Sequence, residues 1–407
     1  MSSIAATLQN TVPASAKSEQ KAAERMYFPG LNQVRMLAAS AVIVYHIERA
    51  KNYCGFSNLH DAFFFKSLGI EGVRLFFVLS GFLISFILLK EIQKSDSVDI
   101  KKFYARRMLR IWPLYYLVVV LAFFAMPVLL HPTSWSDYSG FVTQTHNHFF
   151  EKLGLYIAFL PNLCLAKYPF VLGAGQCWSL GVEEQFYLFW PFLLYLCRRF
   201  VPVAIATLFA VKPVLYSVLS YYAFYYPWGA QKAIQHQIEG LSNMVNNSDF
   251  ECFAFGALAA WLIVKSPDMV CKIMKAPWLR AIYATVLAVS FGVDYPGRER
   301  ALAVAFALFV LDLTFTPVKL GKLDGVVDRL GVISYGMYMY HPLIIPFVVS
   351  GIALSVHTNL IAGNLLVYGL TFGATAIIAS LSYKYFETPF LQAKKKFEVI
   401  KTTSAPV

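Results

Sequence analysis

Charged side chains are scarce in this chain. Asp, Glu, Lys and Arg make up 14% of its 407 residues, against about a quarter in an average soluble domain. Hydrophobic residues make up 58%, too many for a soluble protein to cover. Those two figures exclude a disordered chain and an ordinary cytosolic enzyme. Cysteine is sparse as well: Cys54, Cys164, Cys177, Cys197, Cys252 and Cys271, with no Cys-x-x-Cys pair among them. That spacing argues against a zinc site or a redox motif, and the six read as small apolar fillers. No His-Glu-x-x-His occurs, so no metal is expected. The chain also opens without an apolar run. Residues 1–27 are small and polar, carry no signal-peptide pattern, and are expected to form a flexible cytoplasmic tail.

What the chain does have is apolar runs, near 36–45, 68–89, 111–130, 153–165, 178–197, 200–226, 250–264, 277–293, 301–316, 331–350 and 359–383. The expected fold is an all-α, polytopic membrane bundle of about ten transmembrane helices. One short re-entrant or half-span segment is expected in addition. That segment is 153–165, which is too short to cross and is interrupted by Pro161. With 153–165 not crossing, most Lys and Arg fall on one side, which is then the cytoplasm, and both termini lie there. The net charge of +12 is therefore read as a topology signal of a cell (inner) membrane protein in its lipid bilayer. No nucleic-acid partner is expected. The membrane domain is expected to span 28–391, with 392–407 as a cytoplasmic C-terminal tail.

Ionisable residues inside spans cost about 2.5–3.5 kcal/mol each on insertion scales, so they point to function by default. His46 lies eleven residues beyond Arg35, about 16 Å along a helix, which places it in the outer half of the first span. Glu71 and Arg74, Glu183 and Glu184, and His341 fall at similar depth on three other spans. Bland readings compete. Glu71 and Arg74 are i,i+3 neighbours that can neutralise each other. His341 can be a hydrogen-bonded packing residue. Only one of Glu183 and Glu184 is expected to face the core. On the cytoplasmic side Lys101, Lys102, Arg106, Arg107 and Arg110 crowd the start of the third span. Arg107 and Arg110 share a helix face, and two guanidinium forks at a membrane mouth suit phosphate. A long phosphorylated donor with a reactive far end, such as acyl-CoA, fits a basic mouth on one side and an acid/base cluster nearer the other.

Several motifs then carry a resemblance. They are Arg35-x10-His46, residues 76–84 (FFVLSGFLI, with Ser80), 103–113 (FYARRMLRIWP), 178–187 (WSLGVEEQFY, opening on Trp178), 334–342 (SYGMYMYHP) and 387–389 (ETP). In this order they resemble the acyltransferase 3 family of integral-membrane enzymes, from about Tyr27 to Phe390. Gly181 stands where the family commonly has serine. The resemblance implies acyl transfer from cytoplasmic acyl-CoA, with acetyl-CoA the expected co-substrate, to a carbohydrate or other hydroxyl acceptor at or across the membrane. It implies that His46 is catalytic and that Arg35, Arg107 and Arg110 help bind the donor. It also raises the functional reading of Glu183 or Glu184. The residue chemistry agrees: a neutral imidazole can take a hydroxyl proton near pH 7, and a carboxylate in reach could orient it. Ser80, Trp178, Glu71, Arg74 and His341 are candidates for supporting roles. Direct transfer and an acyl-His46 intermediate both remain open. A transporter or flippase for a lipid-linked or sugar substrate is the alternative, because intramembrane charges also mark transport paths. Tyr138, Phe149, Tyr221, Tyr222 and Trp228 form either an interfacial belt or a sugar-stacking surface.

Overall fold

The structure is a computed structural model that describes residues 28, 30–130, 136–225, 232–355 and 360–400. The expected tail 1–27, Trp228 and the last seven residues of the expected C-terminal tail lie outside the described residues. The described residues form helices joined by short loops, with no strand among them.

Three helices form the centre: α1 (Gly30–Tyr53), α2 (Phe63–Ser95) and, after α3 (Ile100–Val120), the later helix that packs along α2. Asp99 caps α3 by accepting from the Lys102 amide at 3.0 Å. The helix continues past a π turn at Leu121–Ala125 to Leu129, just where Pro127 removes a backbone donor.

Short helices follow: α4 (Ser136–His146), α5 (Phe149–Ile157) and α6 (Pro161–Lys167). The run 153–165 is thus split at its proline. Phe159 turns the chain with φ +57°, and its ring stacks on Tyr115 of α3, centroids 4.2 Å apart. Helices of nine and seven residues are too short to cross a bilayer at 1.5 Å per residue.

The remaining helices are α7 (Trp178–Leu196), α8 (Val201–Tyr225), α9 (Lys232–Asn246), α10 (Phe250–Lys265), α11 (Pro267–Met274), α12 (Pro277–Gly292) and α13 (Arg298–Phe315). They are followed by α14 (Asp324–Val332), α15 (Ser334–Ser355), α16 (Leu360–Ser382) and α17 (Thr388–Lys394). Among the described residues five helical stretches are long and apolar enough to cross a membrane: α2, Ile100–Leu129, α8, Gln237–Lys265 and Ala362–Phe397. The pair α14–α15, bent by 71°, makes a sixth. Other expected spans fall short of that measure for visible reasons. Helix α12 has only 16 residues. Helices α1, α7 and α13 carry charges within or at the start of the helix.

The close packing explains the FFVLSGFLI motif. A Cβ on Gly81 of α2 would lie 2.3 Å from the Phe253 carbonyl oxygen of α10, and one on Gly256 would lie 2.1 Å from that of Val78. Two facing glycines let these backbones touch, the usual route to tight helix association in lipid. Phe77, Phe253 and Phe186 then stack in a column joining α2, α10 and α7, with centroids 4.7 and 4.4 Å apart. At the end of that column Trp190 donates to Ser85 at 2.9 Å. At the rim, α8 and α16 leave most of their apolar side chains uncovered; such faces call for lipid.

Candidate active site

Helix α1 carries His46 and α15 carries His341, and the two rings meet. Nε2 of His341 lies 3.2 Å from Nδ1 of His46, with ring centroids 4.9 Å apart. Each Nδ1 also sits over the carbonyl four residues back: His46 over Val42 at 2.9 Å, His341 over Met337 at 3.3 Å. A carbonyl oxygen only accepts, so both Nδ1 atoms carry the proton. Nε2 of His341 is then a bare acceptor that shares the Nδ1–H of His46 with Val42. Nε2 of His46 is left unprotonated, which is the form a general base needs. The bend between α14 and α15 starts this arrangement. Gly331 lets α14 approach so closely that a Cβ there would lie 2.3 Å from the Asn32 carbonyl oxygen. Helix α15 is thereby brought alongside α1.

His46 lies on the wall of a cavity of about 420 Å³, together with Tyr45, Arg49, Gly69, Trp178 and Tyr338. Tyr338 is locked by Ser179, with the two hydroxyls 2.7 Å apart. Gln176, just ahead of Trp178, donates to the Met339 carbonyl at 2.9 Å, so the start of α7 is tied to α15.

The carboxylates of α7 sit elsewhere. Glu183 accepts from Ser80 at 3.1 Å and from Tyr187 at 2.9 Å. Glu184 faces the Trp112 indole N–H at 3.4 Å, and its other oxygen is buried without a partner among the described residues. The guanidinium of Arg107 lies 5.9 Å from the centre of the Tyr187 ring, and its Nε is likewise buried without a partner there. Arg107 and Arg110 are both within electrostatic reach of Glu183. No hydrogen bond joins either carboxylate to His46 among the described residues. Among the described residues the side chain that hydrogen-bonds His46 is His341, where a carboxylate was the expected support. Glu183 stands about 7.5 Å of helix rise beyond Trp178, on the side of the basic mouth.

Two further expected residues belong to a separate network. Arg74 pairs with Glu71 at 2.8 Å, Asp249 at 3.1 Å and Glu299 at 2.7 Å. Arg298 also reaches Glu71, at 3.1 Å. This hub ties α2 to the starts of α10 and α13. Gly69, Ile70 and Val73 of the same helix line the His46 cavity, but Glu71 and Arg74 do not. Arg35 donates to Asn32 at 2.9 Å at the far end of α1.

Sequence reasoning passed over Glu48 and Lys51. They pair at 2.5 Å, fully buried. Glu48 also accepts from the Leu59 amide and, at 2.6 Å, from Tyr368 of α16. The clasp holds the α1–α2 loop and α16 beside the cavity. An i,i+3 acid–base pair two residues past His46 was the available signal.

A family model described as an acyltransferase domain matches residues 28–384. The chain belongs to the acyltransferase 3 family. Among curated proteins, the peptidoglycan O-acetyltransferase OatA of Listeria monocytogenes is 26% identical over 379 residues, covering 90% of this chain and 56% of the relative. The O-acetyltransferase OatA of Staphylococcus aureus is 25% identical over 409 residues, covering 91% of this chain and 58% of the relative. The chain thus spans just over half the length of these curated relatives. No solved structure matches it.

Proposed function

We propose that this chain is a membrane O-acyltransferase that moves an acyl group from acyl-CoA to a hydroxyl of a glycan or other acceptor. The observation that carries the reading is His46 on the wall of the cavity, backed by the buried His341, with Nε2 of His46 free to act as base. Nε2 takes the acceptor's hydroxyl proton as its oxygen attacks the thioester carbonyl carbon. The carbon–sulfur bond then breaks, and the CoA thiolate leaves and recovers that proton. Nδ1–H stays on Val42 and His341 throughout, which keeps the ring oriented.

Arg107, Arg110 and Arg35 hold the donor's phosphates at the opposite end. Glu183 and Glu184 stand between the two ends, where they balance Arg107 and order Ser80, Tyr187 and Trp112. The names of the relatives favour acetyl as the group and a cell-wall glycan as the acceptor. In this reading about ten helices cross the bacterial inner membrane, the flanking segments are cytoplasmic, and donor and acceptor meet from opposite sides.

The test is labelled acetyl transfer from acetyl-CoA to glycan in vesicles carrying the chain. His46→Ala is expected to lower the rate about 10²- to 10⁴-fold, the usual range for a lost general base. Full activity in a normally inserted His46→Ala would refute the mechanism. Movement of the acceptor without donor consumption would favour a transporter.

A further inference from the structure

The cavity that holds His46 has an unbalanced lining. Arg49 and Lys66 contribute two cations, and no Asp or Glu lines it. Neither cation has a carboxylate within ion-pair distance among the described residues. Arg49 is also held in place. Its Nε donates to the Tyr53 hydroxyl at 2.8 Å. Its guanidinium lies 5.5 Å from the Tyr53 ring centre and 5.4 Å from that of Phe170. Tyr45 also hydrogen-bonds the guanidinium, and a guanidinium held by two rings and two hydroxyls keeps its remaining N–H groups pre-oriented for an oxyanion. Three residues after His46, it stands one turn along the same face of α1, with Cβ atoms about 5–6 Å apart.

The geometry points to an anionic acceptor: the His46 cavity selects a glycan that bears a carboxylate or phosphate one sugar-ring width from the hydroxyl that is acylated, and Arg49 binds that group. Lys66, more exposed at the mouth, adds attraction for the same charge. The selectivity rests on the acyltransferase reading above but is separable from it. An unmatched cation in a partly desolvated cavity rewards a charged ligand and gives nothing to its neutral isostere.

The experiment uses the full chain in vesicles with labelled acetyl-CoA and three oligosaccharide probes. These are a galacturonate oligomer, its neutral methyl ester, and a phosphodiester-linked oligomer. Wild type is expected to favour at least one charged probe over the ester by about tenfold or more in kcat/KM, the scale of a charge-assisted contact. The better charged probe tells carboxylate from phosphate. In Arg49→Gln that ratio collapses, mainly through KM, and Arg49→Lys restores part of it. Equal use of all three probes by wild type, or an equal loss on all three in Arg49→Gln, overturns the proposal. If no probe is labelled, that result counts against acyl transfer. Equilibrium binding of the same probes then decides the selectivity: a preference for charge that Arg49→Gln removes supports it, and no preference overturns it.

Discussion

His341 offers the sharpest perturbation, because its contact with His46 separates two roles. It is fully buried, touches Nδ1 of His46 at 3.2 Å, and leaves Val42 as the other acceptor of that proton at 2.9 Å. Substituting His341 by Ala removes one of two acceptors and keeps the second. A net hydrogen bond of this kind contributes about 0.5–1.5 kcal/mol. If all of it acts on the orientation of the base, kcat falls by about two- to twelvefold at 1.36 kcal/mol per decade. KM for donor and acceptor should stay put, because neither substrate loses a contact. His341→Asn, whose amide oxygen can still accept, should recover part of the loss. Steady-state acetyl transfer in vesicles, normalised to inserted protein, measures this. Activity within experimental error of wild type would refute the tautomer assignment. A loss as deep as that of His46→Ala would refute it differently, by placing His341 in the chemical step itself.

Other substitutions follow from the packing and the ion network. Arg74→Met leaves Glu71 and Asp249 buried with fewer cations and is expected to cost about 3 kcal/mol or more, read as a lower unfolding temperature in detergent. Glu183→Gln keeps the shape but leaves one acceptor oxygen where Ser80 and Tyr187 now use two; a loss of about 1–3 kcal/mol, by the same assay, is expected. Gly181→Ser restores the residue common in the family, yet a Cβ there would lie 2.8 Å from Asn162 Oδ1. It should disturb the paired Asn162–Gln185 amides at 3.1 Å and destabilise by about 1–3 kcal/mol, read as a lower unfolding temperature in detergent.

Apolar runs foretold most helices, because a run of about 20 residues in this composition has few alternatives. The split of 153–165 was legible from Pro161 and its length. Which helices touch was not legible, because backbone contact between α2 and α10 depends on glycines 175 residues apart (Gly81 and Gly256) that differ in no way from other glycines in sequence. The site divides in the same way. His46 and His341 were singled out by the cost of polar groups in lipid, but their contact spans 295 positions and follows from the α14–α15 bend. Depth alone grouped Glu71, Arg74, Glu183 and Glu184 with them. Depth fixes height in the membrane and leaves rotation about each helix axis open, and rotation sends Arg74 to Asp249 and Glu183 to Ser80. Arg49 and Glu48 went unremarked because they sit near a helix end, where charge is ordinary.

The hub at Arg74 also sets a timetable. Asp249 and Glu299 follow Arg74 by 175 and 225 positions. At about 5–20 residues per second of synthesis, Arg74 waits roughly ten to forty seconds for them. Only Glu71, one turn away on the same helix, is present when α2 is made. The i,i+3 pair therefore serves the newborn chain first, letting an arginine enter the membrane already matched. A chain with Glu71 replaced would carry that arginine unescorted until its later partners arrived, and its defect would appear as poor insertion before any loss in the finished fold.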